Sequence, residues 1–304
     1  MASALVTVSN ELAAIVEAAA PHVVSISARR HHPASGVLWK PDVVLTAEHA
    51  IRRDEDISVS LAGGSTVSAR LAGRDPGSDL AVLRLQAAVA SKGDFAAATA
   101  VTPGELALVL GRSPNSGINA SLGIISAVSG EWRTWRGGRL DSYIRVDAKM
   151  FPNSAGGAVV NSRGQLVGIA TPALSRVAGL AIPMATAART AESLLERGWV
   201  PRGYLGIGIQ VVALPDPLRE KLSLAGASGL MVLSVEANGP ADKAGVLIGD
   251  ILTSIAGNSI ERPEDLQQFS DSGVIGQSAT AKFVRGGKIQ ELSLVVAERP
   301  RRDS

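Results

Sequence analysis

From His22 to about Ile182 the chain is a succession of short apolar runs that Gly, Pro, Asn and Ser interrupt. The clearest runs are Val23–Ile26, Val43–Thr46, Leu80–Leu85, Leu106–Leu110 and Leu166–Ile169. Strands at this spacing favour a barrel or a sandwich. The 32 glycines and the 3% of aromatic residues fit β-rich barrels better than helical bundles. The sequence therefore predicts a mostly β fold in this region.

Helical periodicity is confined to the flanks of this region. Residues 10–19 read as a short helix with Asn10 as its N-cap, and residues 184–197 as a second helix that Gly198 ends. Pro201 opens a second globular unit. The predicted divisions are a helix or extension at 1–20, a first domain at 21–183, a linker helix at 184–200, a second domain at 201–299 and a flexible tail at 300–304.

Composition argues against several classes of function. The 30 basic and 28 acidic residues nearly balance, which gives no nucleic-acid footprint. The chain has no cysteine, so disulfides and thiol catalysis are excluded. The four histidines are His22, His31, His32 and His49, and no third ligand lies near the adjacent pair. Since zinc sites usually need three or four ligands, we predict no metal site and no cofactor.

The N-terminal segment shows no targeting signal by inspection. Residues 1–20 lack a basic n-region and a sustained apolar run. No later stretch reaches the roughly 20 apolar residues of a membrane span. We therefore expect neither a signal peptide nor a span in this chain, and the compartment stays open on these grounds.

Three segments carry side chains suited to nucleophilic catalysis. The strand over 43–47 leads to His49, a turn after Asp75 leads to Asp79, and a glycine-rich loop follows at 152–161. An imidazole can move a proton near neutral pH, and a buried carboxylate fixes its tautomer. A glycine-rich loop lets N–H groups converge on an oxyanion. A lone histidine is usually structural and Asp79 could simply cap a turn, so the order of the three segments carries the prediction.

In this order the segments resemble the HtrA/Deg family of trypsin-like serine proteases with a C-terminal PDZ domain. The resemblance covers roughly residues 20–297. Its motifs are Val44-Leu45-Thr46 before His49, Asp79 to Leu83, Tyr143 to Ala148, Gly164 to Ile169 and Gly179 to Pro183. It implies a chymotrypsin-like double β-barrel at 21–183. At 201–299 it implies a PDZ domain, an α+β, partly open barrel with two helices.

The chain departs from the family at the nucleophile. The family loop reads G-N-S-G-G-P, and aligning its glycines on Gly156 and Gly157 puts Ala155 at the serine. Alanine has no hydroxyl, so no acyl-enzyme can form there. Ser154 is an alternative nucleophile one residue away, although nucleophile geometry tolerates little displacement. Ala155 is either a substitution that inactivates the enzyme and stops self-cleavage, or the mark of a natural pseudoprotease.

The resemblance also assigns the oxyanion hole and the substrate pocket. The hole would use the N–H groups of Ala155 and of Asn153, where the family has glycine; asparagine tolerates positive φ better than most residues. Lys149 points either into the pocket, where it would favour acidic side chains, or away from it. The pocket residues are Lys149, Met150, Phe151, Ile169, Ala170, Thr171, Leu180 and Ala181.

The second domain resembles a PDZ domain at its carboxylate-binding loop, Arg202 to Ile207, and at Gly239 to Gly257. Residues 263–271 read as the helix that borders the groove, with proline in its first turn. An extended peptide would add to the sheet edge while loop N–H groups hold its terminal carboxylate. The predicted groove residues are Tyr204, Leu205, Gly206, Ile207, Leu266 and Phe269, of which about half would be plain core.

The resemblance implies a serine endopeptidase of the protein quality-control type that acts on unfolded or misfolded proteins, with a PDZ domain that binds peptide C-termini. With Ala155 the chain is expected to be inactive. The alternative is a natural pseudoprotease that serves as a peptide-binding chaperone or scaffold. Family trimers commonly use aromatic residues near the N-terminus, and the first aromatic here is Trp39, so a homotrimer stays open. The family implies the periplasm or cell envelope.

Overall fold

A computed structural model describes residues 3–29, 33–89, 95–270 and 272–300. The chain forms two compact units, Met1–Val200 and Pro201–Ser304. His31, His32 and residues 301–304 of the predicted tail lie outside the described residues.

The first six strands of the first unit close into a barrel. Hydrogen bonds connect them in the order β1-β2-β3-β6-β5-β4, with every pair antiparallel. Short 3-10 helices at Ala20–His22 and Glu48–Ala50 precede β1 and follow β3. The strands are β1 Val23–Ser27, β2 Ala34–Lys40, β3 Val43–Ala47, β4 Ile57–Ser60, β5 Thr66–Asp75 and β6 Leu80–Leu85.

Six further strands close into a second barrel in the order β11-β14-β13-β12-β7-β8. A two-stranded sheet of β9 and β10 lies between β8 and β11 in the sequence. The prediction of a double β-barrel is thus confirmed. The strands are β7 Leu106–Ser113, β8 Gly117–Ser129, β9 Trp132–Arg133, β10 Arg139–Leu140, β11 Tyr143–Asp147, β12 Ala158–Asn161, β13 Leu166–Thr171 and β14 Gly179–Pro183.

The two barrels share one apolar core. Val23 and Leu45 of the first barrel pack in the same buried cluster as Leu108 and Ile169 of the second. Strands β3, β12 and β13 are buried at every position, so their sequences do not alternate between apolar and polar residues. This shared core fixes the loops that leave each barrel on the side where the barrels meet.

Two helices accompany the barrels. The first, α1, spans Ala4–Ala19, so the prediction of a start at Asn10 is wrong: Asn10 is exposed on the helix surface and is tolerated there. The second, α2, spans Met184–Arg197 and ends at Gly198, whose φ is 82°. Its apolar face, Ala187, Ala191 and Leu194, is buried in the shared core.

The N-terminal helix is also the one segment among the described residues that is long and apolar enough to cross a bilayer. The segment is Ala4–His22, with a mean hydropathy of 1.2. An N-terminal signal sequence passes the same test of length and composition. This result runs against the expectation that residues 1–20 contain no sustained apolar run.

The second unit is a sheet in the order β16-β17-β18-β20-β21, with β19 paired to β18 and β15 paired to β22. The predicted groove helix is a 3-10 helix over Pro263–Ser270, and Asp271 lies outside the described residues. The elements are β15 Gly203–Tyr204, β16 Ile207–Ala213, α3 Asp216–Leu222, β17 Ser228–Val235, α4 Pro240–Lys243, β18 Ile251–Ile255, β19 Asn258–Ser259, β20 Ser278–Arg285, β21 Lys288–Val295 and β22 Ala297–Glu298.

Candidate active site

A histidine–aspartate pair lies at the open end of the first barrel. The Nδ1 atom of His49 is 2.8 Å from Oδ2 and 3.0 Å from Oδ1 of Asp79. The backbone N–H of His49 also donates to Oδ1 of Asp79 at 3.0 Å. The imidazole is 19% exposed while the carboxylate is fully buried. A carboxylate on Nδ1 leaves Nε2 as the nitrogen that can exchange a proton with a ligand.

The Asp79 carboxylate has a third donor. Thr171 Oγ1, from the end of β13, donates to Oδ2 at 2.5 Å. The backbone of Asp79 is in the left-handed region, with φ of 56°. Such a conformation costs free energy for a residue other than glycine, and surrounding contacts must hold it. The sequence placed Thr171 only in the pocket wall, so its bond to Asp79 was missed.

The turn before Asp79 is organised by Asp75. Its carboxylate accepts the N–H of Gly77 and both the N–H and the hydroxyl of Ser78, at 2.7 to 3.2 Å. Thr134, between β9 and β10, donates its hydroxyl to the Gly77 carbonyl at 2.7 Å. A Cβ added to Gly138 would lie 2.2 Å from the Gly77 carbonyl group, so only glycine lets this segment approach so closely. The segment at 132–140 thus packs directly on the turn that delivers Asp79.

The glycine-rich loop brings Ala155 into the first barrel. Its side chain is 3% exposed and packs in the cluster that contains Ala47 and Ala50, the residues flanking His49. The Ala155 carbonyl accepts the N–H of Ser35 at 3.0 Å. Gly156 has φ of 81°, and a Cβ there would meet Thr46 Oγ1 at 2.2 Å. The position aligned with the family's serine therefore lies beside the histidine segment.

Ser154, the alternative nucleophile, is committed elsewhere. It is 4% exposed, and its hydroxyl donates to the Phe151 carbonyl at 2.8 Å. Its N–H donates to the same carbonyl at 2.9 Å. These bonds direct the Ser154 hydroxyl into its own loop. The geometry thus offers no reason to assign it the nucleophile's role.

The turn over 151–154 has a conformation that the sequence did not predict. A type II turn requires φ > 0 at its third residue, which is why glycine is favoured there. Asn153 occupies this position and is not among the described residues with positive φ. The Pro152 carbonyl accepts a hydrogen bond from Arg29 Nη2 at 2.9 Å. Since N–H and C=O point opposite ways in a trans peptide, the Asn153 N–H points away from Arg29.

The predicted pocket residues separate into three groups. Lys149 is exposed, with its Nζ 4.8 Å from the centre of the Phe151 ring. Met150 packs on Gly179, where an added Cβ would lie 2.6 Å from its Cε. Four more predicted pocket residues are buried in the barrel clusters, and their place in a pocket wall stays a prediction: Ile169, Ala170, Leu180 and Ala181.

The second unit holds its own candidate site. The carbonyl of Leu205 accepts the N–H of Ala241 at 3.0 Å, and that of Gly206 accepts the N–H of Glu236 at 2.8 Å. Because both carbonyls point into the domain, the N–H groups of the same two peptides, on Gly206 and Ile207, point the other way. Gly206 has φ of 74°, which suits glycine.

The remaining groove residues surround this loop. Strand β16 is an edge of its sheet, so a peptide strand can be added beside Ile207. Leu205 and Phe269 are buried in the domain core, while Ile207 and Leu266 are partly buried at its margin. Tyr204 pairs with Ala297 through β15 and β22. Of these predicted groove residues, Ile207 and Leu266 are thus the two apolar ones that stay partly accessible.

Comparison with known proteins agrees with the predicted families of both units of the chain. The family model "Trypsin-like peptidase domain" matches residues 34–169, and "PDZ domain" matches residues 203–296. The chain is 30% identical over 274 residues, 87% of its length, to the "Probable periplasmic serine endoprotease DegP-like" of Brucella suis biovar 1. It is 29% identical over 274 residues, 88% of its length, to the "Serine endoprotease DegS" of Haemophilus influenzae, of which it covers 77%.

Solved structures give the same result. The structure "HtrA-type protease AlgW with tripeptide" superposes with a TM-score of 0.72 at 30% identity, covering 96% of this chain and 98% of that one. The chain spans about half the length, 52%, of the DegP-like relatives it matches.

Proposed function

The chain belongs to the HtrA/Deg family of trypsin-like serine proteases with a C-terminal PDZ domain, and we propose that it binds unfolded polypeptides without hydrolysing them. The observation that carries the proposal is Ala155. A buried methyl group stands where the family places its hydroxyl, beside the segment that carries His49. No other hydroxyl in the loop is directed outward, because Ser154 is bonded to Phe151.

The turn before Ala155 supports the same proposal. With Asn153 outside the left-handed region, the Pro152–Asn153 peptide is not in the orientation that a type II turn would give it. A missing oxyanion donor costs about 10²- to 10³-fold in rate where it has been removed from a serine protease. The loop thus departs from catalysis at two residues rather than one.

A second candidate is a quality-control endopeptidase whose serine has been replaced in this chain. The intact pair of His49 and Asp79, with Thr171 behind it, favours it. The pair also has a purely structural use, because it satisfies a fully buried carboxylate. For this reason the non-hydrolysing function stands first.

The PDZ unit would capture the C-terminal carboxylate of a bound peptide. The outward N–H groups of Gly206 and Ile207 and the free edge of β16 support this. The periplasm is the compartment we infer, since the relatives it resembles are named periplasmic and an N-terminal apolar helix precedes the barrels.

Binding and cleavage of fluorescein-labelled, unfolded casein by the full chain test the proposal together. We expect a rise in anisotropy on binding and no release of fragments. Fragments that disappear when His49→Ala is introduced would overturn it, because they would require a working nucleophile.

The PDZ assignment has a separate test. A peptide with an apolar C-terminal residue and a free carboxylate is titrated against the full chain beside its amidated twin. We expect micromolar affinity for the first and at least tenfold weaker binding for the second, since charge-assisted bonds to the N–H groups are lost. Equal affinity would contradict carboxylate capture.

A further inference from the structure

Three arginines lie on two neighbouring segments of the first barrel, and one of them bonds to the glycine-rich loop at 152–161, here called the nucleophile loop. Arg29 follows β1, and Arg52 and Arg53 follow the 3-10 helix that carries His49. The N–H of Arg52 donates to the Ala28 carbonyl at 3.1 Å, and Arg53 Nη2 donates to the Ser27 carbonyl at 3.2 Å. The two segments are therefore bonded side by side.

Arg29 connects this cluster to the nucleophile loop. Its Nη2 donates to Pro152 in that loop at 2.9 Å and to Pro33 at 3.3 Å. These two bonds hold the Arg29 guanidinium against Pro152, which lies three residues before Ala155 in the sequence. Its charge is thus fixed against the loop rather than free to move into solvent.

The charges of the cluster repel one another. Burial first, and then the charge of Arg52, lower the pKa of Arg29. Arg52 is exposed, and within the described residues no carboxylate forms an ion pair with it. Asp54, two residues after Arg52 in the sequence, is bonded to Arg74 instead. An anion between Arg29 and Arg52 would relieve this repulsion.

The position of the cluster tells which part of a bound polypeptide it meets. Thr171 and Met150, two of the predicted pocket residues, belong to the second barrel: Thr171 ends β13, and Met150 packs on Gly179 of β14. Ser35 and Arg29 lie on the other side, where the first barrel contacts the loop. A polypeptide whose aliphatic side chain occupies the predicted pocket, and whose following residues continue past Ala155 along the first-barrel side, would meet the arginines.

We propose that Arg29 and Arg52 form a carboxylate-binding subsite that selects polypeptides carrying an acidic group shortly after the residue held at Ala155. This deepens, and rests on, the proposed binding of unfolded polypeptides. A guanidinium binds a carboxylate through paired N–H groups, so the subsite discriminates acids from their amides. The acidic group is a side chain or the C-terminal carboxylate, and the ligand set below separates the two.

The test measures binding of N-terminally labelled, C-terminally amidated peptides to the full chain by anisotropy. One aspartate is scanned through the four positions after a single valine, and each peptide has an asparagine twin. Amidation removes carboxylate capture by the PDZ loop from every comparison. At one or two positions we expect aspartate to bind about tenfold more tightly than asparagine, with the gain shrinking as salt is raised.

Substitutions assign the gain to the arginines. Arg52→Gln, at an exposed site, and Arg29→Gln should each bring the aspartate peptide close to the affinity of its twin. Arg70→Gln, on an exposed position of β5, is the matched control and should leave the gain intact. A gain that survives both Arg52→Gln and Arg29→Gln, or no gain at any position while the asparagine peptides bind, overturns the subsite alone.

Two further outcomes have distinct meanings. If no amidated peptide binds, the proposed polypeptide binding in the cleft fails, and the subsite fails with it. A neutral peptide that ends in a free carboxylate is the last arm. If its affinity falls with Arg52→Gln, the terminal carboxylate is a ligand of the subsite; if only the aspartate gain responds to Arg52→Gln, the ligand is the acidic side chain.

Discussion

The two sides of the candidate active site differ in how far they keep the arrangement that catalysis needs. The first-barrel side places His49 against Asp79 at 2.8 Å, and Thr171 of the second barrel donates a further hydrogen bond to that carboxylate. The loop from the second barrel carries Ala155 at the nucleophile position and Asn153 where a positive φ would be expected. One side is complete, and the other departs at two residues.

The difference teaches where catalytic residues can be lost without harm to the fold. Asp79 is fully buried, and each group bonded to it is also needed to satisfy its charge, since an unpaired buried carboxylate is costly. Ala155 is also buried, but a methyl group needs no partner. Stability thus preserves the first-barrel side whether or not the protein is an enzyme, while the loop is free of that constraint.

The largest expected effect comes from restoring the hydroxyl. Losing a serine nucleophile costs on the order of 10⁶-fold in rate, and the missing oxyanion donor withholds about 10²- to 10³-fold. We therefore expect Ala155→Ser to raise casein cleavage about 10³- to 10⁴-fold over the parent chain. The measurement is release of labelled fragments.

The control for this experiment is Ala155→Ser combined with His49→Ala, which should return the rate to that of the parent. If Ala155→Ser neither cleaves casein nor reacts with a fluorophosphonate probe, the first-barrel side is not the working half of a protease site. The comparison between the two sides would then lose its basis.

The second effect belongs to the turn. Asn153→Gly, made in the Ala155→Ser chain, allows the third turn residue to take φ > 0 and the peptide to rotate. We expect a further gain of about 10²- to 10³-fold in kcat with little change in KM. Asn153→Ala is the matched variant and should give no gain. Equal rates for the glycine and alanine variants would show that the turn does not limit activity.

The third prediction concerns the stability of the buried Asp79 carboxylate, which Thr171 of the second barrel supports. Thr171→Val keeps the shape of the side chain and removes one donor from a buried carboxylate, so it should lower the free energy of unfolding by about 1–3 kcal/mol. Ala155→Ser removes no donor from a buried charge and should change the free energy of unfolding by less. Urea unfolding of both variants makes the comparison. A larger loss for Ala155→Ser would reverse the argument.

The smallest effect is a dependence on pH near the segment that supports the Asp79 turn. Burial alone would raise the pKa of Asp141, but hydrogen bonds from Arg189 and Thr186, and the charges of Arg189 and Arg139, lower it overall. A lowered folded pKa means that the stabilisation is complete above the ordinary aspartate pKa and is lost as pH falls through the folded value.

Thermal unfolding between neutral pH and about pH 3 measures this effect, since unperturbed aspartate titrates near pKa 3.9. Asp141→Asn should flatten the acid limb of the curve relative to the parent chain. An unchanged acid limb would show that the contacts of Asp141 do not stabilise the folded state.

Local patterns in the sequence were sufficient for much of the fold. Short apolar runs with turn residues between them predicted the β structure, and the helix at 184–197 was legible because its period and its terminal glycine agree. The helix at the N-terminus was misplaced, because an exposed Asn10 in a helix looks like a cap when only its neighbours are considered. The pocket residues stay a prediction, since apolar residues such as Ile169 and Leu180 suit both a pocket wall and the core in which they are buried.

The sequence by itself determined the order of histidine, aspartate and glycine-rich loop, and the absence of a hydroxyl at Ala155. Only the tertiary structure decided that Thr171 bonds Asp79 from 92 residues away and that Arg29 reaches Pro152 across 123 residues. The physical reason is that both contacts depend on two closed barrels meeting through one core. Hydrogen bonds between the two barrels leave no periodic pattern in either segment, so no local feature of the sequence predicts them.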